Sequence, residues 1–277
     1  RDVAPSRGLG DVYKRQKLKY DLYFEECEKF ALLRKICLSR ESAKVVNKCE
    51  VIPKKVFYVW FGDKKPNIVH ICIENWKDKL PGFEFIEINE HSPYFDFQYE
   101  YETCRWFREV YDRKLWAFVS DYVRVKVLYE NGGIYLDTDI TFCKDITPLL
   151  KNNFFIGEEH NGIISVGIFG CIPHHPFLGK ILNFYQTEIY QSPLYTVPSI
   201  FTEIYKNGNF DDVTVYGTKY FYPFRYGDEY SSNCLTKESY TVHWWSASWL
   251  DTPHMYFLKN KHKISQIRKN LTIAGKI

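Results

Sequence analysis

The alternation of apolar and polar positions changes period several times along the chain, and each change predicts an element. From Lys17 to about Cys49, Leu18, Leu22, Phe30, Leu33 and Cys37 recur among Lys and Glu at helical spacing. Val51–Phe61 (VIPKKVFYVWF) then ends in an unbroken apolar, β-branched and aromatic run closed by Gly62-Asp63, the pattern of a buried parallel strand. Asn67–Leu80 returns to a helical stripe through Ile68, Ile71, Cys72 and Trp76, Pro81-Gly82 breaks it, and Phe83–Asn89 alternates as a second strand. Strand, helix and strand in close succession make a βαβ unit, which favours an α/β fold with helices on a parallel sheet.

Residues 91–114 are polar and aromatic and read as helices and loops. Leu115–Glu130 is a strong helix stopped by Asn131-Gly132-Gly133. Ile134–Ile140 (IYLDTDI) and Ile163–Cys171 (IISVGIFGC) read as buried strands, Pro176–Tyr190 as a helix, and the Tyr-, Trp- and Pro-rich tail from Tyr220 as loops over the sheet. No internal repeat or low-complexity linker divides the chain, so residues 17–277 are expected to form one domain. Residues 1–16 (RDVAPSRGLGDVYKRQ) resemble translated sequencing-adapter read-through, and Met255 is the only Met; a non-native leader without function is expected there.

Composition narrows the function classes. Hydrophobic residues at 45% and charged residues at 26% exclude a disordered or fibrous chain. No apolar run approaches the ~18 residues of a membrane-spanning helix. A formal charge of +3 gives no case for nucleic acid as a partner. The eight cysteines contain no C-x-x-C pair, which removes zinc-ribbon and thioredoxin-type readings and fits reduced thiols in a cytoplasmic protein. Aromatics are the outlier at 18%: most of them serve a core, but such a stock also suits flat ligands such as sugars and bases.

Four constellations carry candidate chemistry. Asp137-Thr138-Asp139 would place two carboxylates on one side of an extended chain, at the carboxyl end of a buried strand, where open α/β sheets bind ligands. Hard oxygen ligands of this kind suit Mg²⁺ or Mn²⁺ shared with substrate phosphates, although D-x-D is also common as solvated loop carboxylates. Asp121 and Arg124 stand at i and i+3 on one helix face, either as a plain ion pair tying helix to sheet or as joint holders of a polar ligand. Trp60, at the end of the first strand, is either core or a stacking surface for a nucleobase. His243-Trp244-Trp245-Ser246-Ala247-Ser248-Trp249 brings an imidazole that can complete a metal shell, with hydroxyls and indoles that can donate to phosphate.

The ordered set IPKKVFYVWFG (Ile52–Gly62), LPGFEFIEIN (Leu80–Asn89), WAFVSDYVRVKVLYENGGIYLDTDI (Trp116–Ile140) and HWWSASW (His243–Trp249) resembles glycosyltransferase family 32, sugar transferases with a DXD motif, and distantly the catalytic domains of clostridial glucosylating toxins. The resemblance spans about Val51–Trp249. It implies a GT-A fold, a mainly parallel sheet flanked by helices, that binds a nucleotide sugar with Mn²⁺ or Mg²⁺. The chain would then divide into a helical segment (17–49), a nucleotide-sugar-binding core (51–172) and an acceptor-side, closing region (173–277). Carried over by position, Trp60 would stack on the base, which the resemblance makes uracil. Asp121 and Arg124 would contact the donor sugar, and Asp137 the ribose or the sugar. Asp139 and His243 would hold the metal, and Ser248 and Trp249 would close on the diphosphate.

One departure stands out: Ile164-Ser165-Val166-Gly167 has Val166 where the family commonly has Asn, while Glu158-Glu159 match its preceding acidic position. The implied activity is retaining transfer from a UDP-sugar to a saccharide or lipid-linked acceptor in bacterial surface polysaccharide synthesis. A front-face displacement fits best, in which the leaving phosphate takes the acceptor's proton; double displacement through Glu158 or Glu159 is the other route. The implied setting is the cytoplasm, with peripheral association at the inner membrane face left open by the basic stretch Lys259, Lys261, Lys263, Arg268 and Lys269. A non-catalytic carbohydrate-binding module and a metal-dependent phosphohydrolase are the rival classes.

Overall fold

The computed structural model describes residues 52–62, 64–160, 162–246 and 258–263. The leader at 1–16, the helical segment at 17–49 and the candidate residues Ser248 and Trp249 lie outside the described residues.

The period-2 alternation of the strands sorts their side chains into two cores. In β1 (Lys55–Val59), Phe57 and Val59 join one buried cluster while Val56 and Tyr58 join another. The same division recurs in β3 (Gly133–Leu136), where Tyr135 faces the first cluster and Ile134 and Leu136 the second. Both faces of the sheet are therefore covered, as in a three-layer α/β arrangement.

The six-stranded sheet has the order β2-β1-β3-β6-β5-β7, with β2 at Glu84–Ile88, β5 at Phe154–Glu158, β6 at Ile164–Cys171 and β7 at Val213–Tyr216. β1 pairs in parallel with β2 and β3, and β5 in parallel with β7, while β6 runs antiparallel to both β3 and β5. All strands but β6 thus share one direction, which is the mainly parallel sheet flanked by helices that the sequence led us to expect. β5 and β7 were not foreseen.

On the second face sits α1 (Asn67–Lys79), through Cys72 and Trp76. The first face carries α2 (Phe97–Thr103), α3 (Arg105–Asp112), α4 (Trp116–Asn131), α5 (Pro176–Asn183) and α6 (Val197–Asn207). α4 is apolar on nearly every side and is the central buried helix, so Asp121 and Arg124 are carried into the interior with it. Gly132 ends it at φ +62°, and a Cβ there would lie 2.7 Å from Pro173 Cδ, so glycine is required twice over.

Three expectations need correction. Ile134–Ile140 is not one strand: β3 stops at Leu136, residues 137–139 turn, and β4 (Ile140–Phe142) begins a separate two-stranded sheet with β8 (Thr241–His243). Pro176–Tyr190 is not one α-helix, since α5 ends at Asn183 and passes into a π-helical turn over Phe184–Glu188. The tail also contributes more than loops, through α7 (Thr218–Phe221) and β8.

The outer edge of β4 is satisfied by side chains of α1. Asn75 accepts from Phe142 N (2.6 Å) and donates to Phe142 O (3.2 Å), imitating a neighbouring strand, and Trp76 Nε1 donates to Ile140 O at 2.6 Å. These bonds fix the chain on the exit side of the 137–139 turn. Replacing Asn75 by Ala leaves both Phe142 backbone groups without that partner and is expected to destabilise the protein by about 1–3 kcal/mol. Calorimetric melting checks this, and an unchanged Tm would show that the β4 edge does not depend on Asn75.

Candidate active site at the carboxyl end of the sheet

The register Phe57↔Tyr135 between β1 and β3 brings Trp60 and Asp137 to the same end of the sheet, each just beyond its strand. Trp60 is half-buried, and its backbone N–H extends the ladder to Ile88 O (2.9 Å). Gly62 follows at φ +92°, with the Trp116 indole packed where a Cβ would sit, 2.9 Å from Nε1.

Arg124 organises this end of the molecule. Its guanidinium lies 3.0 Å from Asp121 Oδ1 and 3.1 Å from Asp137 Oδ1, with all three groups largely withdrawn from water. It also donates to Val166 O (3.1 Å), Ser120 O (3.2 Å) and Ser120 Oγ (3.2 Å), and it covers the Tyr135 ring at 4.4 Å. Tyr135 OH in turn donates to Asp137 Oδ1 at 2.8 Å and lies 2.9 Å from Ser120 Oγ. Asp121 is additionally met by the backbone N–H of Val197 at the start of α6. Every donor direction of the guanidinium is used, which is what a buried Arg requires.

Asp137 and Asp139 do converge, but through a turn rather than along an extended strand. The turn is marked by Ile140 N donating to Asp137 O at 3.2 Å. Asp139 is gripped by the segment leaving β8. His243 Nε2 lies 3.0 Å from its Oδ1, Ser246 N donates to its Oδ2 (2.8 Å), and Trp244 N donates to its backbone carbonyl (2.9 Å). The β4–β8 register Ile140↔His243 sets this grip. His243 packs against Trp245 with ring centroids 4.1 Å apart and the planes tilted by 34°, and Trp245 takes φ +55°.

One ligand atom from each of Asp137, Asp139 and His243 can be chosen so that all three lie within 4.8 Å of one another. This donor set, two carboxylates and an imidazole, suits a divalent cation. The local charge agrees: three carboxylates (Asp121, Asp137, Asp139) face one guanidinium, leaving two negative charges when His243 is neutral. Burial pushes the Asp121 carboxyl up to about 7 against the pull of Arg124, and burial likewise raises Asp137. Burial works upward on Asp139 too, but the hydrogen bonds from His243 and Ser246 hold it below the usual carboxylate range. Burial opposes charge on His243, and Asp139 outweighs it, so that imidazole is raised. Its Nδ1 is buried without a hydrogen-bond partner.

Several contributors escaped the sequence reading. Ser120 and Tyr135 lie one helical turn before Arg124 and two strand positions before Asp137, spacings that could have flagged them. Gly167 had no such signal: a Cβ there would sit 3.0 Å from Asp137 Oδ2 and 3.4 Å from Tyr222 OH. Val166, the departure from the family pattern, is buried in the first core and meets Arg124 through its carbonyl. Lys261, one of the tail cations, is buried and donates to Ser192 O (2.6 Å), so it is not available to a lipid surface. Arg268 and Lys269 lie outside the described residues. Among the described residues no helix is long and apolar enough to cross a membrane.

Residues 66–156 match the family described as the glycosyltransferase sugar-binding region containing a DXD motif. The matched stretch includes Asp137-Thr138-Asp139, in agreement with the resemblance to glycosyltransferase family 32. It is 36% identical over 81 residues to a human alpha-1,4-N-acetylglucosaminyltransferase, covering 29% of this chain and 22% of that protein. It is 27% identical over 138 residues to inositol phosphoceramide mannosyltransferase 3 of Schizosaccharomyces pombe, covering 50% of this chain and 38% of that protein. The chain therefore spans well under half the length of either relative. Among solved structures, the galactosyltransferase LgtC in complex with donor and acceptor sugar analogues aligns with a TM-score of 0.47 and 10% identity, over 76% of this chain and 95% of that one.

Replacing Arg124 by Met would leave Asp121 and Asp137 buried without their counter-ion, a change expected to remove about 3–5 kcal/mol of stability at neutral pH. Both carboxyls would then sit further above their unfolded pKa values. The penalty is full where they are ionised and shrinks as pH falls and they take up protons. Urea unfolding of both proteins at pH 5 and pH 8 checks this: the difference should be larger at pH 8.

Proposed function

We propose that the protein is a divalent-metal-dependent glycosyltransferase that moves a sugar from a nucleotide donor, UDP-linked, to a saccharide or lipid-linked acceptor with retention of anomeric configuration. The observation that carries the reading is the convergence of Asp137, Asp139 and His243 within ligating distance, directly beside the Asp121–Arg124 pair, at the carboxyl end of the sheet. A carbohydrate-binding module has no use for so much buried charge. A two-metal phosphohydrolase needs a larger ligand set than this three-residue cluster.

In this reading Asp139 and His243, with Asp137 beside them, hold Mn²⁺ or Mg²⁺, which when bound supplies positive charge to the diphosphate as it leaves. Asp121 and Arg124 orient the donor sugar, and their crowded hydrogen bonding keeps them rigid. Trp60 stacks on the uracil base, and Ser248 and Trp249 close over the diphosphate. Asp137, with Oδ1 held by Arg124 and Tyr135 and Oδ2 packed beside Gly167, contacts the ribose or the donor sugar. Glu158 is engaged in its own loop, its Oε1 accepting from Gly162 N at 3.1 Å, which favours front-face displacement over a glycosyl-enzyme on that residue. A role in bacterial surface polysaccharide synthesis, in the cytoplasm or at the inner membrane face, rests on the family resemblance. The human and fission-yeast relatives, both named as sugar transferases, support sugar transfer.

Incubation with a panel of UDP-sugars in Mn²⁺, monitored by UDP release, is expected to identify a donor. Chelation should abolish turnover and Asp139→Asn should lower it at least 100-fold, whereas Trp60→Ala should act mainly by weakening UDP affinity. Metal-independent turnover, or turnover unchanged in Asp139→Asn, would remove the assignment.

A further inference from the structure

Five cysteines fall among the described residues, all with free thiols. Cys72, Cys104 and Cys171 are buried, and burial pushes each of those thiols up, which keeps them inert. Cys143 is exposed and Cys234 half-buried, so these are the two that solvent reaches.

The fold brings the segments of these two together. Phe142 pairs with Thr241 at the end of the β4–β8 ladder, and Cys143 N donates to Tyr240 O at 2.8 Å, which carries the ladder one residue further. Lys144 follows, with its ammonium 4.1 Å from the centre of the Tyr240 ring and its Nζ donating to Lys237 O. Lys237 sits in a tight turn closed by Ser239 N donating to Thr236 O (3.1 Å) and Thr236 N to Ser239 Oγ (3.0 Å). Cys234 ends the short 3₁₀ turn Ser232–Cys234 just before it. The thiols also sense one another. Burial does most to raise Cys143, Lys144 works downward, and charge on Cys234 adds to the rise, an influence that needs a short separation.

We propose that Cys143 and Cys234 are a reversible disulfide pair, closed by an oxidant of the glutathione-disulfide class and opened by reduced glutathione. One thiolate attacks the oxidant and releases a first glutathione; the second thiolate attacks the mixed disulfide and releases the other. One S–S bond forms in the protein and one breaks in the oxidant, two electrons pass to glutathione, and the two thiol protons end on the two glutathiones. Cys234, Ser231 and Thr236 line a cleft of about 440 Å³, so the bond fastens that wall to the end of β4, the strand that leaves the Asp139 turn. A crosslink between positions so far apart in the chain restricts mainly the unfolded state and so stabilises the folded one. An oxidising compartment keeps the bond closed and a glutathione-rich one keeps it open. It forms or fails to form whatever reaction the neighbouring site performs.

The test equilibrates the full chain in a series of glutathione redox buffers, traps free thiols with iodoacetamide and maps the peptides by mass spectrometry. A linked Cys143–Cys234 peptide is expected under oxidising conditions and is removed by dithiothreitol, and its formation should raise Tm by about 4–8 °C. Cys143→Ser and Cys234→Ser, at positions outside the core, should lose the linked peptide and the Tm rise together. Two free thiols in every buffer, separate glutathione adducts on the two residues, linkage of either to another cysteine, or a Tm rise that persists in both variants overturns the proposal.

Discussion

One guanidinium holds the functional end of this molecule together. Arg124 lies deep on the central helix and pairs with two carboxylates, one from its own helix and one from the end of β3. Neither Asp121 nor Asp137 could remain ionised there alone, because withdrawal from water disfavours the charged form of each. The same side chain reaches Val166 on β6, so a single cation ties α4, β3 and β6 into one electrostatic unit. Buried ionic groups are not an efficient source of stability, since apolar residues of equal volume do as well or better. Their presence in the interior of an otherwise apolar helix therefore calls for a reason other than stability, and the proposed hold on a donor sugar supplies one.

The two sides of the DXD turn are held differently. On the side of Asp137, side chains from the sheet and α4 saturate one carboxylate oxygen and leave the other facing Gly167. On the side of Asp139, the grip is largely backbone: two N–H groups from residues 244 and 246 close on it while His243 meets it from β8. Below the turn, α1 pins β4 through Asn75 and Trp76. Both carboxylates are thus held in place from several sides, the fixed arrangement of charge that electrostatic work on a ligand requires.

Much of this was legible from pattern. The βαβ start, the long helix with its glycine stop and the buried strand Ile164–Cys171 all followed from hydrophobic period and breakers, because tertiary packing there agrees with local preference. The pairing of Asp121 with Arg124 followed from helical spacing alone, and the approach of Asp139 to His243 from the family resemblance. The split of Ile134–Ile140 was not legible: IYLDTDI alternates like a strand, and only the requirement that β4 pair with β8, a hundred residues later, bends it at Thr138. The role of Gly167 was hidden for a similar reason, since what excludes a side chain there is a carboxylate from a different strand. Short β5 and β7 were lost among aromatic loops, whose composition resembles a strand's as closely as a tail's.

The grip of residues 243–246 on Asp139 bears on what counts as the smallest working unit. The segment recognisable as a sugar-binding region ends at residue 156, before β6 enters between β3 and β5. An excised piece with those boundaries would lack the strand at the middle of its own sheet and every late contact to its motif. The recognisable stretch is therefore a signature rather than a transplantable part, and engineering by domain exchange would have to carry the chain through Ser246 at the least.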